Sequence, residues 1–396
     1  PRLPTPPGIS PPMTTLPPLP RMPGPKAKPA PTSGVLIKRN KKPPEDNPLE
    51  LCLREAVALG ASDVHAHGGS PLRMRLNGRL ARYGADPIEP KVLEALLKRM
   101  LGPREAARLE SHGQVDFVHS IHEAGRFRAA VYRQMQGLDA VFRPIRPEPP
   151  TLGDLGLPPS LARLTNFLDG LVLLTGPAGS GKTSTLAALV DVLNRERQVH
   201  VLCIEDPVEC LFPSRRAFIT QRQIGRDAKS WTRAARAALR QDPDVLVLGE
   251  LREPETIALA LSAAETGHLV MATMNAAGFE SAINRLLSAF PSADERKARN
   301  TIADSLRALV TQRLINSARE ETRLAAHGVI TVSPAIGNLI RDNKLHQLKG
   351  VIQTSASGGN RLLDDSLERL VQVGRITRIE AIQHASEPGR FVPKQV

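Results

Sequence analysis

The residues with the clearest chemistry are Gly176–Thr183, reading GPAGSGKT, which fit the spacing G-x-x-x-x-G-K-[ST]. An apolar run, LVLLT (171–175), precedes them, and a helical pattern follows. In that context Gly176, Pro177, Ala178, Gly179, Ser180 and Gly181 are expected to form a loop whose amides turn inward around phosphates. The helix that opens after the loop adds the positive end of its dipole. Lys182 then reaches the β- and γ-phosphates of a nucleoside triphosphate, Thr183 holds Mg²⁺ through its hydroxyl, and Ser184 closes the binding stretch. ATP and Mg are therefore the expected ligands.

Such a loop needs an acid at the end of a neighbouring strand to organise the metal and the attacking water. DVLVLGE (244–250) supplies Glu250 as general base or water positioner, and the adjacent Gly249 permits close approach. CIEDPVE (203–209) ends another strand in Glu205 and Asp206. Ligands sit beyond the carboxyl ends of such strands, so Glu205 is either a second carboxylate near the metal or a plain strand-end acid. The stretch AETGHLVMATMNAAG (264–278) reads as a helix end, a buried strand and a turn, with His268 at one end and Asn275 at the other. His268 is a candidate γ-phosphate sensor or partner of Glu250, against the commoner reading of a satisfied structural histidine. Arg126, Arg128, Arg133 and Arg143 fall on adjacent strands, and the period of two puts Arg126 and Arg128 on one face. Facing the loop, they would meet the charge that develops on the γ-phosphate; otherwise they are a solvated strand face.

These groups must be carried by two kinds of element. Short apolar runs at 171–175, 200–205, 244–250 and 269–275, separated mostly by helical segments, have the pattern of a parallel sheet buried on both faces. The segment from about 292 onward reads as mostly helical. Upstream, Asn47, Pro48 and Glu50 mark a helix start, with Leu49, Leu53, Val57 and Leu59 as its apolar face and Gly60 as its stop. LRMRLNGRLARY reads as a hairpin turning at Asn77-Gly78, followed by a helical stretch over 88–111. Three strands come next, near 115–121, 126–134 and 138–145.

Composition bounds the rest. The formal charge is +13, but residues 1–44 hold eight Lys or Arg, fifteen Pro and no acid, so +8 belongs to that stretch and +5 to the remainder. Such a segment reads as a disordered, partly polyproline II arm, serving as a spacer or as a tether to an acidic partner or anionic lipid. With one Trp and two Tyr, stacking platforms for nucleic acid are scarce, and no nucleic-acid partner is expected. Three cysteines without paired spacing read as free thiols, and no run of about 18 apolar residues or signal pattern occurs, so a cytoplasmic protein is expected. The expected organisation is a basic arm over 1–45, a small α+β domain over 46–146 and a linker over 147–158. A phosphate-binding α/β domain with C-terminal helices follows over 159–388, then a tail over 389–396.

Taken together, the blocks resemble the secretion ATPase superfamily, and within it the type IV pilus retraction ATPases. GASDVHAHGGSPLRMRLNGRL, GRFRAAVYRQ and AVFRPI are similar to that family's N-terminal signature and arginine strands. GPAGSGKTST, IEDPVE, RQDPDVLVLGELREPET and AAETGHLVMAT resemble its Walker A, aspartate box, Walker B and half of its histidine box, and SPAIGNLIRDNKLHQLKGVIQT its C-terminal region. The resemblance implies an α/β fold, a RecA-like ATPase core with a smaller PAS-like α+β domain. It implies a homohexamer holding ATP between the domains, cytoplasmic and peripheral at the inner face of the cytoplasmic membrane. There it would pull pilin from the fibre through an inner-membrane platform protein. By the same likeness Glu205 supports Mg²⁺, Glu250 is the catalytic glutamate, His268 is the first histidine-box residue, and Arg128 and Arg143 reach the phosphates. The absence of a four-cysteine zinc module argues against the assembly and type II secretion branches. There are departures. Asn275 stands where the family's second histidine falls, Gly337 replaces an arginine, and IQTSASGGNRLLDD replaces a Met-rich signature. They point to an alternative, an accessory paralogue of low activity that works beside another pilus ATPase.

Overall fold

The computed structural model describes residues 36–37, 47–76, 78–145, 148–319, 322–354 and 359–392. Most of the proline arm lies outside them, as do Asn77 of the expected turn, residues 146–147, residues 355–358 and the last four residues.

The first sheet holds seven strands: β1 (Leu36–Ile37), β2 (Asp63–Ala66), β3 (Leu72–Leu76), β4 (Arg79–Tyr83), β5 (Gln114–Ile121), β6 (Gly125–Gln134) and β7 (Gly137–Ile145). Their order is β1-β4-β3-β2-β7-β6-β5. The expectation of an unstructured arm over 1–45 is corrected at β1, which runs parallel along β4 through Leu36–Arg82 and Ile37–Tyr83. The free amides of an edge strand are a template for such an apolar pair.

Helices α1 (Pro48–Ala58), α2 (Pro90–Met100) and α3 (Pro103–His112) belong with this sheet. The Asn47 side chain caps α1 by accepting from the Leu49 amide at 3.0 Å. The buried face of α1 is Leu49, Cys52, Leu53 and Ala56, whereas the expected Val57 and Leu59 are exposed. The 88–111 stretch is two helices rather than one. Pro103 opens the second, because a proline disfavours helical backbone at the residue before it.

The second sheet comprises β8 (Gly170–Thr175), β9 (His200–Glu205), β10 (Phe218–Gln223), β11 (Val245–Leu248), β12 (Leu269–Met274), β13 (Leu306–Asn316) and β14 (Arg323–Thr331). Its order is β10-β9-β11-β12-β8-β13-β14; all pairs are parallel except β13 with β14. The expectation that everything beyond 292 is mostly helical fails at the β13–β14 hairpin. LRALVTQRLIN carries apolar residues at both helix-like and strand-like spacings, and pairing with the buried β8 decides the outcome.

Helices cover both faces: α4 (Lys182–Glu196) on one, and α5 (Trp231–Ala238), α6 (Pro254–Glu265) and α7 (Phe279–Leu287) on the other. Alternate strand residues divide accordingly. Leu171, Leu173, Leu246 and Leu248 pack with α5–α7, while Val172, Leu174, Val245 and Val247 pack with α4. Five short helices complete the chain: α8 (Glu295–Ser305), α9 (Pro334–Arg341), α10 (Leu348–Thr354), α11 (Leu363–Gln372) and α12 (Arg378–His384). The last two close a small core of their own over Ile315 and Ala326 of the β13–β14 hairpin. The fold is thus α/β with two mixed sheets.

Candidate active site

The loop Gly176–Gly181 leaves the carboxyl end of β8 and enters α4 at Lys182. Gly176 has φ +152°, and a Cβ there would lie 2.4 Å from the Gln312 carbonyl oxygen, so no other residue fits between loop and β13. Gln312 supports the loop from below. Its Nε2 donates to the Ser180 carbonyl at 2.8 Å and its Oε1 accepts from Thr185 Oγ1 at 2.8 Å. Nothing in the sequence pattern singled out Gln312, because its segment was read as helix.

Lys182 is buried. Its ammonium donates to the Gly176 and Pro177 carbonyl oxygens at 3.0 and 2.8 Å and to Asn275 Oδ1 at 2.9 Å. Burial pulls its pKa below the usual lysine range, the Glu250 charge opposes that, and Arg313 adds to it. Glu250 follows β11 and is largely covered. Its Oε1 accepts from Asn275 Nδ2 at 2.6 Å and its Oε2 pairs with Arg252 at 2.6 Å. The expectation that Gly249 allows close approach fits its surroundings: a Cβ there would meet the Ile204 carbonyl and the Trp231 ring at 3.3 Å.

Glu205, at the end of β9, accepts from Gln221 Nε2 at 2.9 Å. Burial raises its pKa to about 7, with Gln221 and Arg126 pulling downward and Glu209 pushing upward. A cleft of about 490 Å³ lies between the two sheets, lined by Gly179, Gly181, Lys182, Thr183, Ser184 and Glu205 on one wall and by Arg128 and Arg143 on the other. Arg143 donates to Asp63 Oδ1 through Nε at 3.0 Å and Nη2 at 2.8 Å. Burial pushes the Asp63 carboxyl up, and the hydrogen bonds from Arg143 and Ser62 outweigh it, so its pKa lies below the usual range. Arg128 pairs with Glu209 at 3.3 Å, and Arg126 donates to the Val208 carbonyl at 3.0 Å, so both meet the 205–209 segment as their shared face requires. Arg133 is exposed on β6 and is not among the residues lining the cleft.

His268, like Arg133, is kept out of the cleft by the fold. It precedes β12, beside Asp244, and its ring nitrogen Nδ1 lies 3.1 Å from the Ala263 carbonyl oxygen. The loop, Glu250 and Asn275 all lie at the other end of the strands, because β8, β11 and β12 are parallel. Seven residue steps lead from His268 along the strand to Asn275, about 23 Å at ~3.3 Å each. The expected bond to Glu250 is therefore absent within the chain, and Asn275 makes it instead.

The lining fits a triphosphate. A buried ammonium meets only neutral acceptors and Ser180 Oγ has no partner, so both are suited to phosphate oxygens. Among the described residues no group of three or more His, Cys, Asp or Glu is placed to hold a metal alone. A magnesium ion here would need the phosphates as ligands besides the Thr183 hydroxyl and the acids.

A sheet covered on both faces, with a glycine-rich turn into a helix at its carboxyl edge, defines the class of α/β proteins that cradle phosphate at strand ends. Residues 39–367 match the family described as Type II/IV secretion system protein, and the chain belongs to that family. It is 39% identical over 332 residues to the type IV pilus retraction ATPase PilT of Pseudomonas aeruginosa, covering 84% of this chain and 96% of that one. It is 42% identical over 343 residues to YggR of Escherichia coli K12, a protein without a characterised role, covering 86% and 99%. A crystal structure of the pilus retraction motor PilT with bound ADP superposes with a TM-score of 0.79 at 35% identity, covering 87% of this chain and 99% of that one. These likenesses place the chain among the secretion and pilus ATPases.

Proposed function

We propose that this chain is a Mg-dependent, ATP-hydrolysing motor of type IV pilus retraction and so of twitching motility. The observation that carries the reading is the cleft itself. A phosphate loop with its lysine and Glu205 face Arg128 and Arg143 from a separate sheet, and Glu250 is tied to that lysine through Asn275. In this reading the amides of Gly176–Gly181, with Lys182, bind the β- and γ-phosphates. Thr183, Glu205 and Glu250 would hold magnesium arriving with ATP, the acids partly through water, and the ion would neutralise phosphate charge. Glu250 orients the attacking water and takes its proton. Arg128 and Arg143 exchange Glu209 and Asp63 for the γ-phosphate as the sheets close. His268 has no part in the cleft of its own chain; its role, if any, falls to contacts between copies.

The same reading takes residues 46–146 as a PAS-like domain, 147–158 as a linker and 159–388 as a RecA-like core, with 1–45 and 389–396 as arm and tail. A ring of six copies working at the inner face of the cytoplasmic membrane on a platform protein follows by kinship with the pilus motor PilT. Among the described residues no helix is long and apolar enough to cross a membrane, so attachment would run through such a partner.

One observation favours a second reading. Asn275 cannot take up and release a proton as the family's second histidine can, which suits the slower or differently coupled turnover of an accessory subunit beside another pilus ATPase. Steady-state ATPase rate and solution mass of the purified chain, with and without Glu250→Gln, separate the two. A hexamer whose turnover needs Glu250 supports the motor. Nucleotide binding without turnover supports the accessory subunit, and unchanged turnover in Glu250→Gln removes the site assignment.

A further inference from the structure

The bridge at Asn275 has the geometry of a coupling device. The Lys182 ammonium has three donors, and all three are in use: the Gly176 and Pro177 carbonyls and Asn275 Oδ1. On the other side of the same carboxamide, Nδ2 donates to Glu250 Oε1 at 2.6 Å. Asn275 is itself anchored, since Arg285 Nη1 donates to its carbonyl oxygen at 2.9 Å. Arg252 holds the far oxygen of Glu250. A cation and a carboxylate are thus linked through one uncharged group, 93 residues from the lysine and 25 from the glutamate.

A carboxamide suits this place for a stated reason. It presents an acceptor and a donor side by side, so one planar group serves Lys182 and Glu250 together. A neutral imidazole has its acceptor and donor on separate ring positions, and an imidazolium has no acceptor for the lysine. A carboxylate would bind the lysine and repel Glu250.

We propose that Asn275 is a positioning residue that couples occupancy of the phosphate loop to the placement of Glu250. Asn275 holds Lys182 beside the Gly176 and Pro177 carbonyls. When a triphosphate arrives, Lys182 must give up at least one of its three bonds to reach it, and the bond to Asn275 is the one whose release is communicated. Oδ1 loses its partner, while Nδ2 keeps its bond to Glu250. Asn275 therefore acts against nucleotide binding and in favour of turnover. The inference rests on the proposed ATPase reading and deepens it.

The two substitutions that separate these roles are Asn275→Ala and Asn275→Asp. Asn275→Ala frees Lys182 and loosens Glu250: ATP should bind about threefold tighter while kcat falls about tenfold or more. Asn275→Asp grips the lysine with a charge-assisted bond and pushes Glu250 away: ATP should bind about tenfold more weakly, and kcat should again fall about tenfold or more. Opposite affinity shifts with a common loss of kcat are a signature that a merely structural role would not give. Thermal melting of each variant checks that both fold. Affinities that move in the same direction, or an unchanged kcat in either variant, overturn the proposal. Absent ATP turnover in the unsubstituted chain would instead count against the ATPase reading. The opposed affinity shifts, read with ATP in a binding assay, would still test the coupling by themselves.

Discussion

The two walls of the cleft are built differently. On the loop wall each functional group is fixed by its own sheet: Gly176 against β13, Lys182 against loop carbonyls, Glu250 against Asn275 and Arg252. On the arginine wall, Arg128 and Arg143 are about 40% and 66% exposed, and each is held by an acidic side chain. The Arg128–Glu209 pair is exposed on both sides, and pairs of that kind contribute about 0–1 kcal/mol, whereas Arg143 satisfies the buried Asp63 carboxylate through two hydrogen bonds. The loop wall is preorganised, and the arginine wall is movable. In the proposed reading, approach of the two sheets would complete a site divided in this way.

The sharpest way to break this comparison is Lys182→Ala. It removes the only ammonium that the loop presents, in the preorganised wall. ATP turnover is expected to fall about a thousandfold, with affinity down about a hundredfold. Calorimetric titration with ATP checks the second figure. Retained binding would mean that the loop wall does not carry the phosphates.

Next in size is the arginine wall. Arg128→Ala and Arg143→Ala are each expected to lower kcat about a hundredfold, since a guanidinium meeting the γ-phosphate acts mainly in the transition state. Affinity for ADP should change less than about threefold; stability should fall by no more than about 1 kcal/mol in Arg128→Ala and by more, about 1–3 kcal/mol, in Arg143→Ala, which strands the buried Asp63. Equal losses of ADP binding and kcat would show the two walls to be one rigid site.

Glu205 sharpens the comparison by pH. Its folded pKa of about 7 lies above its unfolded value, so the folded chain keeps a proton that the unfolded chain releases. That contribution is whole below about pH 4.5, declines as pH rises through 7 and is gone above it. Glu205→Gln should erase a pH-dependent loss on the order of 2 kcal/mol between pH 5 and 8. Urea unfolding of the nucleotide-free chain at both pH values measures it. An identical decline in the variant would assign the pH dependence to other groups.

How much of this was legible in the sequence depends on how local the determinant was. Gly176–Thr183 and Glu250 were readable because a loop, a helix start and a strand end are set by neighbouring residues. The link from Lys182 through Asn275 to Glu250 was not, because it joins three strand ends that meet only in the sheet. Asn275 was visible as a lost histidine and not as a gained bridge. The β13–β14 hairpin was misread because buried strands and helices both present continuous apolar runs, and Gln312 went unseen with it. In α1 the small residues Cys52 and Ala56 took the buried face from the larger Val57 and Leu59, a choice made by the sheet beneath rather than by residue size.

His268 gives the smallest expected effect and the strictest test of strand direction. A histidine and an asparagine at the two ends of one strand look equivalent in sequence, and only parallel pairing with β8 decides which end meets the loop. At about 23 Å from Asn275, the His268 imidazole lies beyond hydrogen-bond reach of any nucleotide in the cleft. Its ring lies instead against the Ala263 carbonyl at the end of α6. His268→Ala should therefore leave the ATP affinity of the chain within about twofold of the unsubstituted protein, because the ring touches the Ala263 carbonyl and no group of the phosphate loop. Turnover and solution mass, read alongside, locate any remaining role. A fall in both would put the histidine at a contact between copies, whereas a large loss of ATP affinity in the intact ring would show that a neighbouring copy brings this end of its sheet to the cleft.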